Sequence, residues 1–356
     1  MLNPILIKSS KGTYSVQFTN EVFEKLNALP VEKTQLIVDE KVYHLYQEQF
    51  EFYLKSFKKI LIVADENNKN IDKISQYVHT LMENQVRLDH TLVAIGGGII
   101  QDITCFLAST LFRGMKWTFV PTTLLAQADS CIGSKSSINV AEFKNLMGTF
   151  NPPEKIYIDL RFHSTLEEKD IASGIGEILK VHMVKGISQF EKALQSFEEI
   201  RNNKEVLCEF IVNSLIFKQE LIEIDEFDKG PRNVMNYGHS FGHAIESATN
   251  FAIPHGVAVT MGMDMANFQS YKMSRIAKED FARWHAVLIR NYVQFAKVPI
   301  DLSQFMSAIR KDKKNVGADL SLILVSKTSP IEKVKVSGDQ LFVNNCKEFL
   351  DTYREH

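Results

Sequence analysis

"TLVAIGGGIIQDITCFLASTLF", residues 91–112, is the stretch on which the fold turns. A short apolar, partly β-branched run passes through Gly96, Gly97 and Gly98 into a segment with helical spacing. That order reads as strand, tight turn, helix. Glycines at such a turn let backbone N–H groups approach a phosphate without Cβ interference, and the helix dipole behind them favours negative charge. The run is not GxGxxG, so taken alone it fits a plain tight turn equally well.

Similar short runs flank it: TQLIVD (34–39), KILIVAD (59–65), WTFVP (117–121) and KIYID (155–159) are strand candidates. NIDKISQYVHTLMENQ (70–85) has helical spacing, and strands separated by helices pair in parallel through crossovers. From about residue 168 the pattern becomes helical, through SQFEKALQSFEEIRN, KEVLCEFIVNSLIFKQELIE and AKEDFARWHAVLIRNYVQFA, with one late strand candidate, LSLILVS (320–326). The expectation is α/β: an N-terminal Rossmann-like parallel-sheet domain over 1–166, and a mainly α-helical domain over 167–356.

The chain has 356 residues, enough for two cores, and a net charge of −2 with both signs scattered, which gives no field favouring nucleic acid or an anionic membrane. Cys105, Cys131, Cys208 and Cys346 form no CxxC pair and read as reduced thiols. MLNPILIKSSKG lacks the pattern of a secretory leader, and no run nears the length of a membrane span. A soluble, cytoplasmic protein is expected.

Candidate ligands for a dinucleotide follow from position. Asp39 ends a strand where a carboxylate can accept from a ribose, although a turn Asp is equally ordinary there. In VPTTLL, Thr122 reads as a helix N-cap with a second hydroxyl beside it. QADSCIGSKSSINVAEFKNLMG (127–148) gathers Asp129, Lys135, Lys144 and Asn145 in a glycine-containing loop, and SGIGEILK (173–180) puts Glu177 and Lys180 on one helical face. Isolated pairs of the latter kind are most often surface salt bridges.

On a helix begun near Pro231, the residues Arg232, Asn236, His239, His243 and Glu246 follow steps of 4, 3, 4 and 3, so all five project to one side. His239 and His243 can chelate one ion, yet HSFGH lacks the glutamate of HExxH. His255, between Pro254 and Gly256, is a plausible third ligand, and Glu177 is the carboxylate we nominate. Imidazoles plus one carboxylate suit zinc.

These residues fall in an ordered series that resembles the 3-dehydroquinate synthase family of sugar phosphate cyclases: GGGxxxD (96–102), FRG (112–114), VPTTLLAQxDS (120–130), IGxK (132–135), KNLMGTF (144–150), GxGExxK (174–180) and RNxxNYGHSFGHAIE (232–246). The resemblance implies a dehydroquinate synthase-like fold and a Zn2+ (or Co2+) site formed by Glu177, His239 and His255, with His243 turned to substrate. It implies Asp129, Lys180, Lys218, Arg232 and Asn236 around the substrate's hydroxyls and carboxylate, and Lys135, Asn145, His243 and Lys313 on its phosphate side. Arg113 matches an arginine contributed across a homodimer. NAD contacts carry over to Asp39, Glu66, Lys69, Gly96, Gly97, Gly98, Asp102, Thr122 and Thr123, with Asp129, Lys135 and Lys144 beside them.

The implied activity converts 3-deoxy-D-arabino-heptulosonate 7-phosphate to 3-dehydroquinate and phosphate; a cyclase of sedoheptulose 7-phosphate or another sugar phosphate, and a metal-dependent polyol dehydrogenase, are the alternatives. Several positions depart from the family pattern. Val257 stands where HGE is common, Gln101 and Ser134 replace frequent glycines, Lys41 replaces a frequent asparagine, and DENNK (65–69) replaces a GExxK pattern.

Overall fold

The structure is a computed structural model that describes residues 2–141, 143–311, 319–327 and 331–355. The chain divides into two compact units, Met1–Leu166 with Lys218–Phe227, and Glu167–Phe217 with Asp228–His356. The expected linear division at 166 and 167 therefore needs one correction, since ten residues further along return to the first unit. Polar ties explain it: Gln219 donates to the Leu6 carbonyl at 2.8 Å, and Glu226 accepts from the Ser10 amide at 2.7 Å.

The first unit is built on a seven-stranded sheet in the order β1-β2-β9-β6-β5-β3-β4. The strands are β1 (Ile5–Ser9), β2 (Gly12–Phe18), β3 (Thr34–Asp39), β4 (Lys58–Ile62), β5 (Thr91–Gly96), β6 (Lys116–Pro121) and β9 (Lys155–Ile158), with β7 (Ile138–Val140) and β8 (Phe143–Met147) in a separate hairpin. All pairs in the sheet are parallel except β1 with β2. Leu36, Ile37 and Val38 of β3 and Val93, Ala94 and Ile95 of β5 are all buried, as strands covered on both faces must be. The five strands read from the sequence are present, but the β1–β2 hairpin was not anticipated.

Order matters for function. From β3 the chain moves outward to β4, then crosses back so that β5 lies on the other side of β3. The C-terminal ends of β3 and β5 thus flank a topological switch point, the place where open α/β sheets bind ligands. Asp39 and Gly96 occupy those two ends.

The second unit is mainly helical, with a two-stranded antiparallel ladder of β10 (Asp319–Val325) and β11 (Ile331–Ser337), of which only β10 was expected. Its middle is the helix His255–Lys272, in which every residue from Gly256 to Ser270 is buried. Neighbouring helices reach it through glycine. A Cβ on Gly176, in the helix Glu168–Lys185, would lie 2.1 Å from the Gly256 carbonyl oxygen, and one on Gly262 would lie 2.1 Å from the Gly238 carbonyl oxygen. Such backbone contacts bring the Glu168–Lys185 and His239–Ala248 helices onto the central one, which is what assembles the site. No helix among the described residues is long and apolar enough to cross a membrane.

Candidate active site

The structure departs from the sequence expectation in two places. The expected continuous helix from Pro231 is broken: Pro231–Asn236 form a 3-10 turn, Gly238 takes a left-handed conformation (φ 76°), and the helix proper is His239–Ala248. Gly238 is confined by the central helix, where a Cβ would lie 2.7 Å from the Val259 carbonyl oxygen. Arg232, buried, and Asn236, half-buried with its amide donating to the Asn233 carbonyl at 3.0 Å, therefore sit on a separate element from the histidines. Secondly, Glu177 and Lys180 are no surface pair. Their side chains are each 2% exposed and stand 2.6 Å apart.

Glu177 divides its carboxylate between two kinds of partner. Oε2 faces the Lys180 ammonium, while Oε1 lies 3.8 Å from His239 Nε2 and 3.4 Å from His255 Nε2. Burial opposes ionisation of Glu177, but Lys180, His255 and His239 outweigh it and hold the carboxyl well below the usual carboxylate range. Burial keeps His239 well below the ordinary imidazole value. His255 is pushed up to about 10: burial works against its proton, and the Glu177 and Glu246 carboxylates on either side prevail.

Tautomers follow from the other ring nitrogens. His239 Nδ1 is 3.2 Å from the Tyr237 carbonyl, and His255 Nδ1 is 3.2 Å from both oxygens of Glu246. Donation from Nδ1 in each case leaves both Nε2 atoms aimed at Glu177. The His243 ring is 5.3 Å from that of His239 and 5.7 Å from that of His255, centroid to centroid. His239, His243 and His255 can each offer a ligand atom within 4.8 Å of the others.

The donor set fits a metal. Bonds of about 2.0–2.1 Å place the ligand atoms of a tetrahedral zinc site roughly 3.3–3.4 Å apart. The two distances from Glu177 Oε1 to the imidazole nitrogens, 3.4 and 3.8 Å, are close to such an edge. An acid and two imidazoles, from three separate helices, are thus gathered as borderline cations require.

In the first unit, the glycine turn joins strand β5 to a helix. Gly97 precedes the helix Gly98–Thr110, and a Cβ on Gly96 would lie 3.2 Å from the Asp39 Cβ, so Asp39 and the turn adjoin. Asp39 caps the following helix through the Lys41 amide at 3.0 Å, and burial raises its carboxyl above the usual range. The N-cap expected at Thr122 belongs to Thr123, whose hydroxyl accepts from the Ala126 amide at 3.2 Å; Thr122 is buried one residue earlier.

Lys69 and Asp102 form a second charged centre, 3.0 Å apart, joined by Ser137 donating to Asp102 at 2.8 Å and by Asn145 accepting from Lys69 at 3.1 Å. Glu66 lies 3.4 Å from Lys69 and accepts from Asn139 at 2.8 Å. Lys144 lines a cavity of about 330 Å3 with Glu66, Asn70 and Asn139. Lys218 is 2.8 Å from Asp129 and donates to its carbonyl at 2.7 Å. Lys135 is exposed on the loop, and Arg113 is exposed in a left-handed turn (φ 66°) before Gly114. Lys313 lies outside the described residues.

The departures have local explanations. Gln101 donates to the Ser130 carbonyl at 2.6 Å and accepts from the Ser130 hydroxyl at 2.8 Å. Ser134 is in the left-handed region (φ 67°) that glycine adopts most easily. Val257 is fully buried and carries no acid to the loop, but Glu246 brings one from the neighbouring helix. Sequence spacing placed Glu246 on the histidine face without assigning it a partner, and nothing in the sequence singled out Ser137.

Comparison with known proteins agrees with these motifs. The family profile described as 3-dehydroquinate synthase N-terminal matches residues 59–173, and that described as 3-dehydroquinate synthase C-terminal matches residues 174–315. A 3-dehydroquinate synthase of Alkaliphilus oremlandii (strain OhILAs) is 32% identical over 353 residues, covering 97% of this chain and 95% of that protein. Among solved structures, ValA, the 2-epi-5-epi-valiolone synthase of Streptomyces hygroscopicus subsp. jinggangensis 5008 with NAD+ and Zn2+ bound, has a TM-score of 0.82 at 23% identity, covering 95% of this chain and 96% of that one. A 2-deoxy-scyllo-inosose synthase complexed with carbaglucose-6-phosphate, NAD+ and Co2+ has a TM-score of 0.79 at 21% identity, covering 98% and 99%. At those identities the two structures share the fold.

Proposed function

The chain belongs to the 3-dehydroquinate synthase family, and from that premise we propose that it converts 3-deoxy-D-arabino-heptulosonate 7-phosphate to 3-dehydroquinate and phosphate, using NAD and a divalent cation, Zn2+ or Co2+. The observation that carries this reading is the convergence of Glu177 Oε1 with the Nε2 atoms of His239 and His255 at 3.8 and 3.4 Å. The cofactors named in the ValA and 2-deoxy-scyllo-inosose synthase structures support it.

Glu177, His239 and His255 would hold the cation, which when bound supplies Lewis acidity to the alcohol being oxidised. Asp39, Glu66, Lys69, the Gly96–Gly98 turn, Asp102, Thr122, Thr123 and Lys144 would hold NAD, which when bound would supply a transient oxidant recovered in each turnover. Oxidation acidifies the neighbouring C–H, phosphate is eliminated, the ketone is reduced again, and the opened ring closes as a carbocycle. Lys180 keeps Glu177 ionised in its buried setting. The buried guanidinium of Arg232 suits the substrate carboxylate in bidentate fashion, with Asn236, Lys218 and Asp129 on its hydroxyls. Lys135, Asn145, His243 and Lys313 receive the phosphate, and Arg113 reaches it from a second protomer of a cytoplasmic homodimer.

The experiment is phosphate release from 3-deoxy-D-arabino-heptulosonate 7-phosphate with NAD and Zn2+, run beside seven-carbon sugar phosphates that lack a carboxylate. The expected result is phosphate release from the carboxylated substrate, no accumulation of NADH, and a far larger loss on that substrate in Arg232→Ala. NADH rising in step with substrate loss would make the protein a dehydrogenase, and turnover confined to a sugar phosphate without a carboxylate would make it a different cyclase.

A further inference from the structure

His255 opens the central helix directly after Pro254, at the end of a connection in which Asn250 and Phe251 both take left-handed conformations (φ 50° and 62°). Its backbone is secured on one side: the Gly256 amide donates to the Ser173 hydroxyl at 2.9 Å, and a Cβ on Gly256 would lie 1.9 Å from the Ser173 carbonyl oxygen. The ring is another matter. Its side chain is 37% exposed, against 13% for His239, so packing alone restrains it least among the three metal-binding candidates.

We propose that Glu246 is the positioning residue of the metal centre, fixing the ring and tautomer of His255 so that Nε2 is presented to the cation. The proposal rests on the Glu177–His239–His255 reading above. Glu246 stands seven residues, two helical turns, after His239 on the same helix, so one rigid element fixes both a ligand and the support for another. Its side chain is 13% exposed, and both carboxylate oxygens lie 3.2 Å from His255 Nδ1. A carboxylate accepting from Nδ1–H keeps that proton in place, so that Nε2 is the nitrogen that gives up its hydrogen on binding the metal, and raises the basicity of that nitrogen. Val257, two residues beyond His255, is a completely buried hydrocarbon side chain and offers that ring no acid.

Glu246→Ala removes the acceptor, and Glu246→Gln retains an acceptor oxygen without the charge. Zn2+ affinity is measured by chelator competition and Co2+ binding by its visible absorption, on the full chain without substrate. The expected result is a loss in Zn2+ affinity of about 10- to 100-fold for Glu246→Ala, a smaller loss for Glu246→Gln, and an altered Co2+ spectrum in the alanine variant. The thermal midpoint of the metal-free proteins is recorded alongside. Equal Zn2+ affinities and superimposable Co2+ spectra for all three proteins would overturn the role of Glu246 and leave the metal centre standing. No binding of either ion by the unaltered protein would overturn the metal centre, and this proposal with it.

Discussion

Gly176 and Gly256 meet so closely that a Cβ on the first would lie 2.1 Å from the carbonyl oxygen of the second. The contact sets the site, because Glu177 follows Gly176 and His255 precedes Gly256. A methyl group at Gly256 meets backbone, the Ser173 carbonyl at 1.9 Å, and backbone cannot swing aside. Gly256→Ala is therefore expected to cost about 1–3 kcal/mol, as overpacking does, and to weaken Zn2+ binding by moving His255 off Glu177. Gly98→Ala is the contrast. Its nearest atom is Ser130 Oγ at 4.0 Å, and denaturant midpoints should show no loss of stability there.

Lys180 and Glu177 are buried together, each 2% exposed, which makes the lysine difficult to remove. Breaking a buried pair by deleting one partner leaves the other charge uncompensated, at about 3–5 kcal/mol. Lys180→Met should lower the unfolding free energy of the metal-free protein, read from urea melts, by somewhat less than that, because His255 still faces Glu177 at 3.4 Å, and saturating Zn2+ should recover part of the loss by giving Glu177 a new cationic partner. A variant as stable without metal as the parent would contradict the buried pairing.

The same pair illustrates what a sequence conveys and what it withholds. Spacing places Glu177 and Lys180 on one helical face but cannot tell whether that face meets water, so a surface salt bridge was the natural reading. Burial was decided by Gly176 and Gly256, eighty residues apart, whose closeness is a tertiary fact. Strands β3, β5 and β6 were legible because central parallel strands are continuous apolar runs between turn residues. The β1–β2 hairpin was not, since an edge hairpin with exposed Leu6 and buried Ile7 offers only a short alternation broken by polar residues. The face shared by Arg232 and the histidines was read as one helix because periodicity cannot register a single left-handed residue, and Gly238 supplies it.

Thiol chemistry offers a direct check on burial in both units. Burial pushes Cys105, Cys131 and Cys346 up to about 12, and raises Cys208 by a smaller burial. A raised value means less thiolate at any working pH, hence slower alkylation. Iodoacetamide at pH 8 on the native protein should modify Cys208 first and leave the other three unmodified, whereas denatured protein should take up four equivalents. Peptide mass spectrometry reads the outcome, and early labelling of Cys105 or Cys131 would show that the loops above them open readily.

His182, five residues beyond Glu177 on the same helix, gives a pH signature outside the metal centre. It is buried, with Nδ1 2.8 Å from the Ile178 carbonyl and its ring against Phe210 and Phe217, and burial lowers it to about 4, Lys192 adding to the effect and Glu209 opposing it. Between its unfolded value near 6.5 and about 4, the unfolded chain binds more protons at this position than the folded one. Stability from this group is complete above pH 6.5, falls as the pH drops toward 4, and levels off below. The total is roughly 3 kcal/mol at most, from 1.36 kcal/mol for each pH unit. His182→Gln keeps a donor for Ile178 and removes the titration, so its urea midpoint, whatever its value at pH 7.5, should decline less steeply between pH 6.5 and 4.5 than that of the parent. Parallel declines would mean that His182 takes up its proton without penalty in the folded state, and that the packing against Phe210 and Phe217 opens to admit water.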